Sequence, residues 1–122
     1  MAEPMRVSWT LRAAAVLGFL GVILGALGAH ALKRELNDFG TTAIWQTAVF
    51  YQLVHAVALL ALAVTDRASR LLAILWVGGV IVFSGTLYIL ATNNSVKWFG
   101  AITPLGGVLL LAGWLLLAIR GR

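Results

Sequence analysis

Residues 39–65, FGTTAIWQTAVFYQLVHAVALLALAVT, form an uninterrupted run of 27 residues without Asp, Glu, Lys or Arg. A helix needs about 20 such residues to cross the hydrocarbon core of a bilayer. Inside lipid every backbone amide must be bonded within its own segment, so such a run must be helical. Three similar runs occupy residues 13–32, 71–96 and 98–119. The pattern predicts an all-α fold, a four-helix transmembrane bundle in one domain over residues 1–122, with helices at approximately 12–31, 43–64, 70–92 and 100–119.

The composition of the whole chain agrees with this interpretation. Hydrophobic residues make up 61% of its 122 residues and charged residues 11%, against roughly 25% charged in an average soluble domain. The net charge of +5 comes from Lys and Arg scattered at segment ends, which is typical of membrane-flanking positions and not of a nucleic-acid surface. The absence of cysteine excludes thiolate catalysis, disulfides and cysteine metal sites. The bilayer is therefore the expected partner, and no nucleic acid is expected.

The loop charges predict the orientation of the bundle. Six basic residues fall at the two termini and in the connection between the second and third spans, whereas the opposite side holds three. The first group is Arg6, Arg12, Arg67, Arg70, Arg120 and Arg122, and the second is Lys33, Arg34 and Lys97. Since basic residues are retained on the cytoplasmic side, both termini are expected in the cytoplasm.

The first segment has an alternative interpretation. Arg6 and Arg12, an apolar run, and then Ala29-His30-Ala31 resemble a signal peptide with a small-residue cleavage site. The apolar run is long for a signal peptide, so we favour a retained first span. The sequence does not decide whether the segment is ever cleaved.

Small residues recur on three of the predicted helices. Small side chains let membrane helices approach closely, because packing drives their association. The glycines expected at such contacts are Gly21, Gly25, Gly28, Gly85, Gly106 and Gly107. We favour contacts inside the bundle, and the pattern leaves open a homo-oligomer or a larger membrane complex.

Polar side chains concentrate in the outer half of the predicted bundle. On the second span, Tyr51, Gln52 and His55 share a side of one helix, and on the third, Ser84 and Tyr88 are four residues apart. The two helices are antiparallel, so these groups lie at similar depth. We expect them to converge on an outward-opening polar pocket, with His30 at its outer end. The alternative is that they serve as hydrogen-bonded contacts between helices.

Tryptophan placement suggests the level of the membrane surface. Trp9, Trp45 and Trp98 fall near the predicted ends of the spans. Tryptophan is enriched at both membrane–water interfaces, where its ring is amphipathic. All three are therefore expected to be interfacial residues.

Four ordered motifs resemble those of a known family. They are GALGAHAL at 25–32, TAVFYQLVHA at 47–56, FSGTLY at 83–88 and TPLGG at 103–107. With them the chain resembles the bacterial domain-of-unknown-function family 423, which is related to the eukaryotic transmembrane protein 256. The resemblance implies a small four-helix protein of the bacterial inner membrane. It implies no established reaction or ligand.

The residues favour a binding or accessory membrane protein. We expect no enzyme, because the spans contain no Asp or Glu for acid–base chemistry. No cofactor or metal is expected either: His30 and His55 differ in depth by on the order of 16 Å at helical rise, which is too far for one haem. The alternative is a small exporter in which His55 replaces the intramembrane carboxylate that cation antiport normally needs.

Overall fold

The computed structural model describes residues 8–65, 67–93 and 95–120, and these residues form helices and connections without any strand. The helices are α1 (Trp9–Ala29), α2 (Lys33–Phe39), α3 (Thr42–Val64), α4 (Arg70–Thr92) and α5 (Phe99–Arg120). All but α2 are long and apolar enough to cross a membrane. The all-α fold with four spans is therefore confirmed. The ends of the four spans differ from the expected positions by at most three residues.

Two of the spans begin at a serine cap. The hydroxyl of Ser8 accepts a hydrogen bond from the backbone N–H of Leu11 at 3.1 Å, and that of Ser69 accepts from Leu72 at 3.1 Å. Each cap satisfies one of the amides that a helix leaves unpaired in its first turn. These caps define where α1 and α4 start.

The connection between α1 and α3 contains the short helix α2. Leu36 is 1% exposed. α2 ends at Gly40, whose φ of 70° is the left-handed conformation that glycine adopts without strain. The Thr41 hydroxyl then donates to the carbonyl of Ala91 at 2.6 Å. These contacts fix α2 across the ends of α3 and α4.

The spans pack in an open chain. α1 packs on α3, α3 on α4 and α4 on α5, and within the described residues α1 and α5 share no extensive interface. The main apolar cluster contains residues of α1, α3, α4 and α5, and it is centred on Leu59 and Trp76, each fully buried. The bundle therefore does not close on itself. α3 and α5 each pack on α4, and over the part of the chain that the structure describes they share no extensive interface with each other.

Two glycines allow α1 to approach α3. A Cβ atom at Gly21 would lie 2.5 Å from Cδ2 of Leu53, and one at Gly28 would overlap the ring of Trp45. At Gly25 the corresponding contact is 3.4 Å from Val49, which is close to ordinary van der Waals distance. The close approach of α1 and α3 therefore depends chiefly on Gly21 and Gly28.

The glycines of α4 and α5 only partly follow the expectation. A Cβ at Gly106 would overlap the backbone of Phe83, whereas at Gly107 it would make an ordinary 3.7 Å contact with the Phe83 ring. At Gly85 it would meet nothing within 4 Å, so the expected packing role of Gly85 is not found. Gly79, which would bring a Cβ within 2.6 Å of Leu110, makes the contact on α4 instead.

The interpretation of Trp45 as an interfacial residue was wrong. Its side chain is 5% exposed, and the indole N–H donates to the carbonyl of Leu24 at 2.8 Å. The missing side chain of Gly28 makes room for the ring. A buried indole N–H needs an acceptor, and the Leu24 carbonyl on α1 provides it.

Candidate functional site

One set of the predicted site residues forms a closed hydrogen-bonded network. The Tyr88 hydroxyl donates to Oε1 of Gln52 at 2.7 Å, and Nε2 of Gln52 donates to the carbonyl of Leu17 at 2.9 Å. Beside them, the Ser84 hydroxyl donates to the carbonyl of Ala48 at 2.7 Å. We call these contacts the Gln52 network. It links α1, α3 and α4, and among the described residues no buried side-chain polar atom lacks a partner.

His55 has different partners. Its Nε2 accepts a hydrogen bond from the indole N–H of Trp114 at 2.9 Å, and its Nδ1 lies 2.8 Å from the backbone carbonyl of Tyr51. An indole nitrogen can only donate and a carbonyl can only accept. His55 is therefore the neutral tautomer that carries its proton on Nδ1. The bond to Trp114 is a direct side-chain link between α3 and α5.

Aromatic rings surround the imidazole. The ring centroids of His55 and Trp76 are 5.6 Å apart in an edge-to-face arrangement, and those of Trp76 and Trp114 are 4.6 Å apart. Further along, Tyr51 packs against Phe83 with centroids 4.7 Å apart. The rings form a continuous wall along one side of α4.

This wall borders a cleft of about 440 Å³ between α3 and α5. We call it the lateral cleft. Its lining includes Tyr51, His55, Phe83, Pro104, Gly107 and Trp114. Val108 and Leu111 also line it and are 59% and 69% exposed. Because exposed apolar side chains of a spanning helix face lipid, the cleft opens sideways into the bilayer.

The six predicted ligand-binding residues thus fall into three places. Gln52, Ser84 and Tyr88 belong to the Gln52 network, whereas Tyr51 and His55 line the lateral cleft. His30 follows the last residue of α1 and lies in a separate polar groove beside α2. Of the expected cluster, Gln52 and Tyr88 do meet, but Ser84 bonds to the carbonyl of Ala48, and the bond of His55 runs to α5.

Trp114 is the residue of this region that the sequence interpretation missed. The fourth span contains few polar groups, and a tryptophan within it looks like one more apolar side chain. Depth provides a signal that could have found it. At 1.5 Å per residue, His55 lies about 20 Å along α3 from Thr42, and Trp114 lies about 22 Å along α5 from Phe99. Both helices run in the same direction, so an indole donor and an imidazole acceptor stand at the same level.

Comparison with known proteins agrees with this membrane architecture. Residues 24–107 match the model of a family described as "Protein of unknown function (DUF423)". The UPF0382 inner membrane protein YgdD of Escherichia coli is 39% identical over 111 residues, covering 87% of this chain and 83% of that protein. The UPF0382 membrane protein YwdK of Bacillus subtilis is 36% identical over 111 residues, covering 86% and 89%.

A UPF0382 membrane protein of Staphylococcus saprophyticus is 39% identical over 113 residues, covering 85% of this chain and 92% of that protein. No solved structure matches the chain. The names of these relatives agree with the four apolar spans and confirm a multi-pass protein of the cell membrane. The chain belongs to the DUF423 family.

Proposed function

We propose that this protein binds a lipid-soluble ligand in the lateral cleft, with His55, Trp114 and Tyr51 at the polar part of the site. The observation that carries the proposal is the His55–Trp114 hydrogen bond, which spans a gap that the bundle leaves open. A bundle selected only for tight packing would close this gap with apolar side chains. Here the two helices are held apart beside a polar pair.

The size and lining of the cleft support a small-molecule site. Ligand pockets commonly enclose about 300–1,000 Å³ and combine apolar and aromatic walls with a few placed polar groups. The cleft has about 440 Å³ and aromatic rings from three helices. A ligand with a flat or chain-like apolar body fits these walls, and it would arrive from the bilayer and not from water.

The polar groups define the other part of the ligand. Tyr51 is 39% exposed and lines the cleft, so its side chain can contact an occupant. A ligand with a carbonyl, ether or hydroxyl oxygen could accept a hydrogen bond from it. In the Gln52 network, by comparison, Gln52 and Ser84 are buried, Tyr88 is half-buried, and the hydrogen bonds are made to other groups of the bundle. These hydrogen bonds support a role for the Gln52 network in holding α1, α3 and α4 together, and not in binding the ligand.

The exporter is the weaker candidate. It would require His55 to take up and release a proton during transport. Both ring nitrogens are already hydrogen-bonded, so protonation of Nε2 would first have to break the bond to Trp114. A ligand-binding role requires no such cycle.

The proposal can be tested with a photoactivated aromatic probe, an iodophenyl trifluoromethyl diazirine, which dissolves in membranes. In vesicles containing the protein, labelling should concentrate in residues 104–114 and at Tyr51, and unlabelled probe should compete for it. Gly107→Leu should abolish this saturable labelling, because leucine would occupy the cleft. Gly85→Leu is the matched control, since a side chain there meets nothing within 4 Å. Labelling spread evenly over the lipid-facing surface, and equal in both variants, would reject the site.

The orientation of the protein belongs to the same proposal. We infer that both termini lie in the cytoplasm and α2 on the opposite face of the membrane, because more of the basic residues fall at the termini and in the α3–α4 connection than on the other side. A reporter that is active only in the cytoplasm should give signal when fused after Arg122. No signal there, together with signal from a fusion at Gly40, would reverse the orientation.

A further inference from the structure

A second recess lies at the end of the bundle where α1 stops. It encloses about 450 Å³ and is lined by His30, Lys33, Arg34, Asn37 and Asp38. We call it the α2 groove. Its lining is polar, unlike that of the lateral cleft, and it contains the one predicted site residue that joined neither of the other two groups.

The groove is built on a fixed backbone. On α2 the four lining residues share one face, and Leu36 is buried on the other. The Thr42 hydroxyl donates to Oδ1 of Asn37 at 3.0 Å, which ties the end of α2 to the start of α3. The charged side chains therefore project from a helix whose position the bundle sets.

The hydrogen-bonding groups of the groove are complementary to a particular chemistry. Lys33 and Arg34 can only donate. The oxygen of Asn37 already accepts a hydrogen bond from Thr42, and its amide nitrogen adds two further donor hydrogens. Asp38 adds a carboxylate, an acceptor with negative charge. A suitable ligand has anionic acceptor oxygens next to a cationic donor.

The level of the groove matches the headgroup region of a bilayer. α1 ends at Ala29 and α3 begins at Thr42, so the groove lies where two membrane spans terminate. We propose that the α2 groove binds the headgroup of a phospholipid that carries both a phosphate and a primary ammonium. The phosphate lies against Lys33 and Arg34, and the ammonium lies against Asp38. This site is independent of the lateral cleft.

Native mass spectrometry of the full chain with defined lipids tests the proposal. Phosphatidylethanolamine should be retained more strongly than phosphatidylglycerol with the same acyl chains. Arg34→Gln should weaken retention of both lipids by roughly fivefold, the effect of one basic group near a membrane surface. Lys97→Gln is the matched control, because Lys97 is exposed at the same end of the bundle and outside the groove. Asp38→Asn should remove the preference for phosphatidylethanolamine and leave phosphatidylglycerol retained.

Three results would overturn the proposal. Equal losses in Arg34→Gln and Lys97→Gln would mean that basic residues attract lipid without a site. An unchanged lipid preference in Asp38→Asn would remove the ammonium contact. Displacement of the lipid by soluble O-phosphoethanolamine at equal concentration would assign the groove to a free phosphate compound. Arg34 and Asp38 are both exposed, so neither substitution should prevent folding. Circular dichroism checks this for each variant.

Discussion

Gln52 and His55 lie about one turn apart on the same helix, α3, yet they differ in what surrounds them. Gln52 is 4% exposed and bonds to α1 and α4, helices that pack directly on α3. His55 is equally buried, but its partner comes from α5 across an open cleft. A polar group between packed helices fastens them together. The His55–Trp114 pair instead joins two helices beside a gap, and both ring nitrogens of His55 are engaged.

The largest effect is expected from breaking the packing beside the Gln52 network. A Cβ at Gly21 would lie 2.5 Å from Leu53 and 3.5 Å from Nε2 of Gln52. Gly21→Leu should therefore push α1 away from α3 and lower the free energy of unfolding by roughly 1–3 kcal/mol, the usual cost of overpacking. Denaturation in SDS–detergent mixtures measures this. Gly107→Leu, which faces the cleft, should change it far less, and equal losses in both variants would contradict the distinction.

A smaller loss is expected from removing the amide itself. Gln52→Leu leaves the Tyr88 hydroxyl without its acceptor and the Leu17 carbonyl without its donor. The free energy of unfolding should fall by about 1–2 kcal/mol, because leaving a polar group unpaired in the bundle interior costs more than losing one average membrane hydrogen bond. Adding Tyr88→Phe should recover part of this loss in the same unfolding assay. If the double variant were less stable than Gln52→Leu, the two side chains would not be coupled as described.

The smallest effect on stability is expected at the cleft. Trp114→Phe removes one hydrogen bond, worth about 0.6 kcal/mol on average between membrane helices, and frees Nε2 of His55 for water or a ligand. Nitrogen-15 NMR should show His55 protonated on Nδ1 in the unchanged protein, with a shifted Nε2 signal in the variant. Trp98→Phe, at a residue 63% exposed, should leave both signals unchanged. A proton on Nε2 in the unchanged protein would contradict the bond to Trp114.

The sequence was sufficient for the spans and for one of the side-chain contacts between them. Runs without charge identify the four long helices, because lipid imposes the same requirement on each of them. Convergence of the polar groups of α3 and α4 was expected from their depth, and Gln52 does meet Tyr88, although Ser84, the residue expected at the depth of Gln52, bonds to Ala48 instead. Depth alone cannot say which neighbour a side chain faces, so the same reasoning placed His55 with Gln52 when its bond is to Trp114.

The glycines show a similar limit. Which glycine makes a close contact depends on the rotation of its helix against a neighbour, and a stripe of small residues does not fix that rotation. Gly85 therefore faces open space, whereas Gly113 accommodates the indole of Trp76. In the same way, the burial of Trp45 depends on Gly28 lying opposite to it, a pairing visible only after the helices are placed.

The open chain of spans also determines the order in which the protein can assemble. Each interface joins a span to the one made just before it, α1 with α3, α3 with α4 and α4 with α5. Domains are synthesised from the N-terminus, and contacts between near neighbours in sequence need little loop closure. Each span therefore finds its partner already in the bilayer as it arrives. No step of folding has to wait for the first and last spans to meet. A nascent chain that has been synthesised as far as Thr92 already contains both sides of the α1–α3 and α3–α4 interfaces.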